Sequence, residues 1–105
     1  MVIYEVTAAV EPHAISEYEH YMRERHIPDL LATGHFTGAI FAKSAPGRYR
    51  IHYEAATQAE LDEYLRVDAG RLRADFATHF PTGVQLSREV WEVLQSWPHR
   101  RQAAV

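Results

Sequence analysis

The first ten residues alternate. Val2, Tyr4, Val6, Ala8 and Val10 fall on one side of an extended segment and Ile3, Glu5, Thr7 and Ala9 on the other, which predicts a strand with one apolar face. The period then lengthens. Ile15, Tyr18, Met22 and His26 form a helical stripe that opens at Glu11-Pro12, where the missing proline N–H costs nothing. Pro28 disfavours helical geometry at Ile27, so the helix is expected to kink or break there, resume through Leu30 and Leu31, and stop at Gly34. Alternation returns in Phe36 to Lys43 and in Tyr49 to Ala55, joined by a Pro46-Gly47 turn. In the second of these strands Tyr49, Ile51, Tyr53 and Ala55 oppose Arg48, Arg50, His52 and Glu54. Thr57 and Glu60 have capping-box spacing at the head of a further helix, with a stripe of Leu61, Leu65, Asp68, Leu72, Phe76 and then His79 or Phe80. Pro81-Thr82-Gly83 ends it, and Leu86 to Leu94 reads as a last strand. One domain over residues 1–95 is expected, followed by a largely disordered tail, 96–105.

Strand, helix, strand, strand, helix, strand is the split βαβ order of a ferredoxin-like α+β fold, βαββαβ, with two helices on one face of a four-stranded antiparallel sheet. The other face is left bare, and it carries Glu5, Thr7, Arg50, His52 and Glu54. Arg88 joins them only if Leu86, Arg88 and Val90 point outward; the alternation of that strand leaves its inner face open. A face mixing these charges with Ile3 suits the lining of a cavity closed by a second copy, so a homodimer with the sheets face to face, a dimeric α+β barrel, is expected.

Composition narrows the chemistry. A chain of 105 residues supports one core. With 11 basic against 14 acidic residues it lacks the footprint of a phosphate-backbone binder, and nucleic acid is not expected as a partner. The absence of cysteine excludes disulfides, thiolate metal sites and a cysteine nucleophile. No apolar run is long enough to span a bilayer and the N-terminus lacks a signal-peptide layout, so no membrane partner and a cytoplasmic location are expected. The glycines are scattered singly, without a phosphate-binding loop.

Two constellations remain. His26 and Asp68 both fall on the apolar stripes of their helices; an imidazole oriented by a carboxylate is a general base, and these are the candidate catalytic residues. The architectural alternative is that His26 caps the broken end of the first helix and Asp68 supports a neighbouring N–H. Arg50, His52, Glu54 and Arg88 are the candidate ligand-binding residues, the arginines for a substrate carboxylate and His52 for a proton; an intersubunit salt-bridge network is the alternative. The single Glu17-x-x-His20 spacing falls short of a metal site, and no cofactor is expected; haem would need one of His26, His52 or His79, among which the sequence does not choose.

The run from Tyr18 to Gly34, Tyr-Glu-His-Tyr-Met-Arg-Glu-Arg-His-Ile-Pro-Asp-Leu-Leu-Ala-Thr-Gly, followed by Phe36, resembles a family of small bacterial proteins defined as a domain of unknown function. Its members share a His-Ile-Pro-Asp-Leu/Val-Leu-Ala-Thr-Gly core. The second helix is similar too, through Tyr64-Leu65, Asp68-Ala69 and Arg71-Leu72-Arg73, with Phe80 and Arg88, although Gly70 stands where many members carry proline. The resemblance implies membership of the dimeric α+β-barrel group, with antibiotic-biosynthesis monooxygenases, EthD-like proteins, muconolactone isomerases, polyketide cyclases and haem-binding relatives. It assigns no activity. Two functions are therefore expected as alternatives: a small-molecule-binding or non-catalytic homodimer, or a cofactor-independent isomerase, cyclase or oxygenase on a small aromatic or oxo-acid substrate with His26 as base. A cavity of roughly a few hundred Å³ reached by His26 would favour the enzyme.

Overall fold

The computed structural model describes residues 1–98. In chain order they form β1 (Val2–Val10), a short 3-10 turn (Pro12–Ala14), α1 (Ile15–Tyr21), a π-helical turn (Met22–His26), α2 (Ile27–Ala32), β2 (Gly38–Ala45), β3 (Arg48–Ala55), α3 (Gln58–Val67), α4 (Ala69–His79) and β4 (Val84–Glu92). The sheet is antiparallel in the order β2-β3-β1-β4, the expected ferredoxin-like α+β arrangement. Residues 96–98 carry no regular element, and the rest of the tail, 99–105, lies outside the described residues. No helix among the described residues is long and apolar enough to cross a membrane.

Alternation builds the core as anticipated. Val2, Tyr4, Ala8 and Val10 of β1 and Tyr49, Ile51, Tyr53 and Ala55 of β3 are buried beneath the helices, against Tyr18, Tyr21 and Met22 from the first helical unit and Leu61, Tyr64, Leu72 and Phe76 from the second. All six tyrosines of the chain are buried.

The helices depart from expectation at two points. At Pro28 the chain does not break: Ile27 stays helical (φ −63°, ψ −47°) and its N–H reaches back five residues to the Met22 carbonyl. A proline ring clashes with the carbonyl four residues before it, here that of Glu24, and a wider π turn makes room without breaking the helix. The second helix does break. Asp68 (φ −110°, ψ −30°) closes α3 with its N–H on the Tyr64 carbonyl, and α4 restarts at Ala69 in a stretch, Val67-Asp68-Ala69-Gly70, poor in strong helix formers. The anticipated capping box is half made: Thr57 Oγ1 accepts from the Glu60 N–H at 3.2 Å, while the Glu60 carboxylate turns to His35 instead.

The β2–β3 turn is tied to the end of β1. Gly47 has φ +80°, as the second central residue of a Pro-Gly turn requires, and its carbonyl accepts from the Val10 N–H at 2.8 Å. A Cβ at Gly47 would lie 2.5 Å from the Val10 carbonyl oxygen, whereas one at Gly70 meets nothing within 4 Å. Gly47→Ala is therefore expected to cost about 1–3 kcal/mol in urea unfolding with an unchanged m-value, while Gly70→Ala is neutral or stabilising by about 0.5–1 kcal/mol.

Candidate functional site

The π turn decides where the first helix presents its chemistry. Both Met22, at its start, and His26, at its end, line a small cavity between sheet and helices. The His26 ring stacks on Tyr21 (centroids 5.8 Å apart) and meets the edge of Phe76 at 5.4 Å. Burial pushes its pKa from the ordinary 6.5 down to about 4; Arg88 adds to the shift, and Asp29 and Asp75 oppose it. The imidazole is neutral at physiological pH.

The cavity holds about 30 Å³, room for one small polar group and far below a substrate-sized void. Around it stand Tyr4, Tyr18, Tyr64, Arg73 and Arg88, with no carboxylate among the lining residues. The Tyr18 hydroxyl is fully buried with no hydrogen-bond partner among the described residues, and burial drives its pKa far up. Arg73 donates to Tyr4 Oη at 2.9 Å. Among the described residues neither Arg73 nor Arg88 pairs with a carboxylate. On this side the helices leave β4 partly uncovered: Arg88 is exposed, and Val90, beside Tyr4 on the same face, is 44% exposed.

His26 and Asp68 are not brought together. Asp68 Oδ1 accepts from Arg71 at 2.9 Å and Oδ2 lies 3.3 Å from His35 Nε2, so its carboxylate is engaged at the α3–α4 junction. The carboxylate on the α4 side of His26 is Asp75, which accepts from the Tyr21 hydroxyl at 2.5 Å and from Arg25 at 2.8 Å. Those two donors, the tyrosine foremost, hold it below the usual carboxylate range. His35, which no periodicity places anywhere but in solvent, lies between Glu60 (2.9 Å) and Asp68 with its side chain 18% exposed.

The pairing of β1 with β4 sets Arg88 beside Val6, on the helix-facing side; it belongs with His26 and not with Arg50, His52 and Glu54. Those three lie on the open face, as their alternation predicted. There His52 Nε2 meets Glu5 Oε2 at 2.6 Å, and Thr7 is hydrogen-bonded to Ser87. His79, the other histidine considered for haem, has Nδ1 2.9 Å from the Asp75 carbonyl. Among the described residues no group of three His, Asp or Glu side chains is placed to hold a metal ion.

Residues 1–94 match the family described as "Domain of unknown function (DUF4286)". The chain belongs to the DUF4286 family. No curated protein matches it significantly. Among solved structures this DUF4286 chain is similar to a Deinococcus radiodurans protein grouped with the antibiotic biosynthesis monooxygenases (14% identity, 96% of this chain and 100% of that one, TM-score 0.71). It is also similar to a single-site variant of SnoaB, a cofactor-independent oxygenase from Streptomyces nogalater (14% identity, 93% and 98%, TM-score 0.73). A third is a dimeric ferredoxin-like protein from an uncultured marine organism (6% identity, 94% and 100%, TM-score 0.72). At these identities the likeness is one of fold.

Burial of His26 makes stability of the DUF4286 domain depend on pH. Between the ordinary 6.5 and about 4 the unfolded chain takes a proton on this imidazole that the folded chain refuses, so stability falls as pH falls through that window. His26→Phe should flatten this part of the profile of urea midpoint against pH. A native His26 ring that titrates near 6.5 by NMR would contradict the assignment.

Proposed function

We propose that the protein is a homodimeric small-molecule-binding domain whose ligand is a small organic anion seated at the mouth of the His26 cavity. The observation that carries this reading is the pair Arg73 and Arg88, two guanidiniums that among the described residues have no carboxylate partner, beside a cavity lined by a hydroxyl that has no partner among them either. A buried hydroxyl left unsatisfied costs about 1–3 kcal/mol, and a ligand oxygen entering the cavity would remove that cost. The partly uncovered inner face of β4, with Val90 beside Arg88, offers apolar surface for the rest of a ligand too large for 30 Å³. The homodimer is supported separately, by the charged and apolar mixture on the open face of the sheet and by the fold's likeness to a protein described as dimeric.

A general base is less well served. An imidazole with a pKa near 4 accepts a hydrogen bond readily but holds an abstracted proton weakly. The enzymatic alternative, a cofactor-independent oxygenase, isomerase or cyclase with His26 as base, draws its support from this neutral imidazole and from the likeness to SnoaB. Turnover that survives His26→Ala removes that base assignment.

The binding reading is tested by calorimetric titration with benzoate and salicylate against benzamide. The carboxylates should bind and benzamide should not, and Arg88→Leu should weaken carboxylate binding by roughly tenfold or more. Bound anion should also raise the NMR titration midpoint of His26, since a nearby negative charge favours the imidazolium. Equal affinity for benzamide, indifference to Arg88→Leu, or no binding of either carboxylate at millimolar concentration would overturn it.

A further inference from the structure

The wall of the His26 cavity changes character from rim to interior. Arg73 and Arg88 stand at the rim, both exposed, whereas Tyr18 is 0% exposed and its hydroxyl is buried with no partner among the described residues. Charge outside gives way to neutral groups inside. The interior, about 30 Å³, admits one small polar group and is lined by tyrosines and the neutral imidazole of His26. Burial drives the Tyr18 pKa far up, so this hydroxyl keeps its proton and presents a donor. A neutral imidazole adds one acceptor nitrogen.

We infer that the ligand of this site is a hydroxy acid, whose carboxylate stays at the rim with Arg73 and Arg88 while a neutral hydroxyl of the same molecule enters the cavity and is read by Tyr18. The inference rests on the anion-binding reading above and adds the second group by which the site selects its ligand. The two parts of the wall ask for different chemistry. A carboxylate carried past the arginines would give up water among aromatic rings for few donors, a cost that the exposed guanidiniums spare it at the rim. A methyl group in the interior would leave the Tyr18 hydroxyl unmatched. A hydroxyl meets both constraints: it is uncharged, it fits a space for one small group, it accepts from Tyr18, and it keeps a hydrogen for the His26 acceptor. Tyr18 surrenders no hydrogen bond to another described residue in making this contact, so the gain is not offset by one lost. It is the specificity-determining residue of the site.

The test is calorimetric titration of the full chain at neutral pH, where phenolic hydroxyls stay protonated, with meta- and para-hydroxybenzoate against meta- and para-methylbenzoate, which match them in charge and nearly in size. The tighter of the two hydroxybenzoates should bind about tenfold or more tightly than its methyl counterpart. Tyr18→Phe should bring that pair to within about threefold of each other and leave the methylbenzoates within about threefold of their wild-type affinity. Urea unfolding should show this variant to be at least as stable as wild type, because the hydroxyl it lacks has no partner among the described residues. A clearly less stable variant would mean that the hydroxyl is already satisfied inside the fold, and would overturn the inference. If the probes bind with dependence on Arg88 but hydroxyl and methyl counterparts bind alike, the hydroxy-acid inference falls and the anion reading stands. A preference that survives Tyr18→Phe, or an equal weakening of every probe by that substitution, overturns the role of Tyr18. No binding of any probe at millimolar concentration overturns both readings.

Discussion

A core built from tyrosine must find partners for its hydroxyls, and that requirement organises this molecule. All six tyrosines are buried. Their rings supply the apolar area that a single sheet with helices on one face needs, but each brings an oxygen that loses water on folding. Surrounding polar residues answer this need for Tyr4, Tyr21 and Tyr49. Glu19 accepts from Tyr49, whose pKa burial pushes up to about 12, Asp75 accepts from Tyr21, and Arg73 donates to Tyr4. Side chains that look like surface charge in the sequence are in this sense part of the core. The Tyr18 hydroxyl is fully buried with no partner among the described residues, and it lines the cavity between sheet and helices.

The π turn has the same character of a local solution with a distant effect. Pro28 removes an N–H and crowds the Glu24 carbonyl; widening the preceding turn lets the helix carry on into α2. The extra residue in the turn advances everything after Met22 relative to a regular helix. His26 therefore reaches the cavity wall between Tyr21 and Phe76 with Asp75 on the far side, and the carboxylate aligned with it by sequence period, Asp68, sits at a helix junction engaged by Arg71 and His35.

What was legible in the sequence follows from which forces are periodic. Strand alternation is a rigid two-residue rule, so the sheet, the apolar faces of β1 and β3, and the open-face grouping of Arg50, His52 and Glu54 could be read directly. It failed to place Arg88 because Leu86-Arg88-Val90 and Ser87-Glu89-Trp91 are similarly mixed; only pairing with β1, which sets Arg88 beside Val6, resolves the ambiguity. The helical stripes were visible, but their phase was not, since a π turn and a break at Asp68 each reset it. His35 was illegible for another reason. It lies in a connection with no period, and its position between Glu60 and Asp68 is a tertiary fact.

Alternation also couples the two faces of the sheet. Val6 and Arg88, paired across β1 and β4, form part of the cavity wall, and their immediate neighbours Thr7 and Ser87, hydrogen-bonded to each other, lie on the open face of the sheet. A peptide plane separates one surface from the other. In a face-to-face dimer, the edge strand β4 gains packing on its outer side at the same residues whose neighbours hold Arg88 toward His26. Without that support β4 is bordered by one strand and only partly covered by helices. An edge strand so placed opens more readily than a central one. Covering the open face therefore bears on the position of Arg88 and on how easily the mouth of the cavity widens beyond the single small group it now admits.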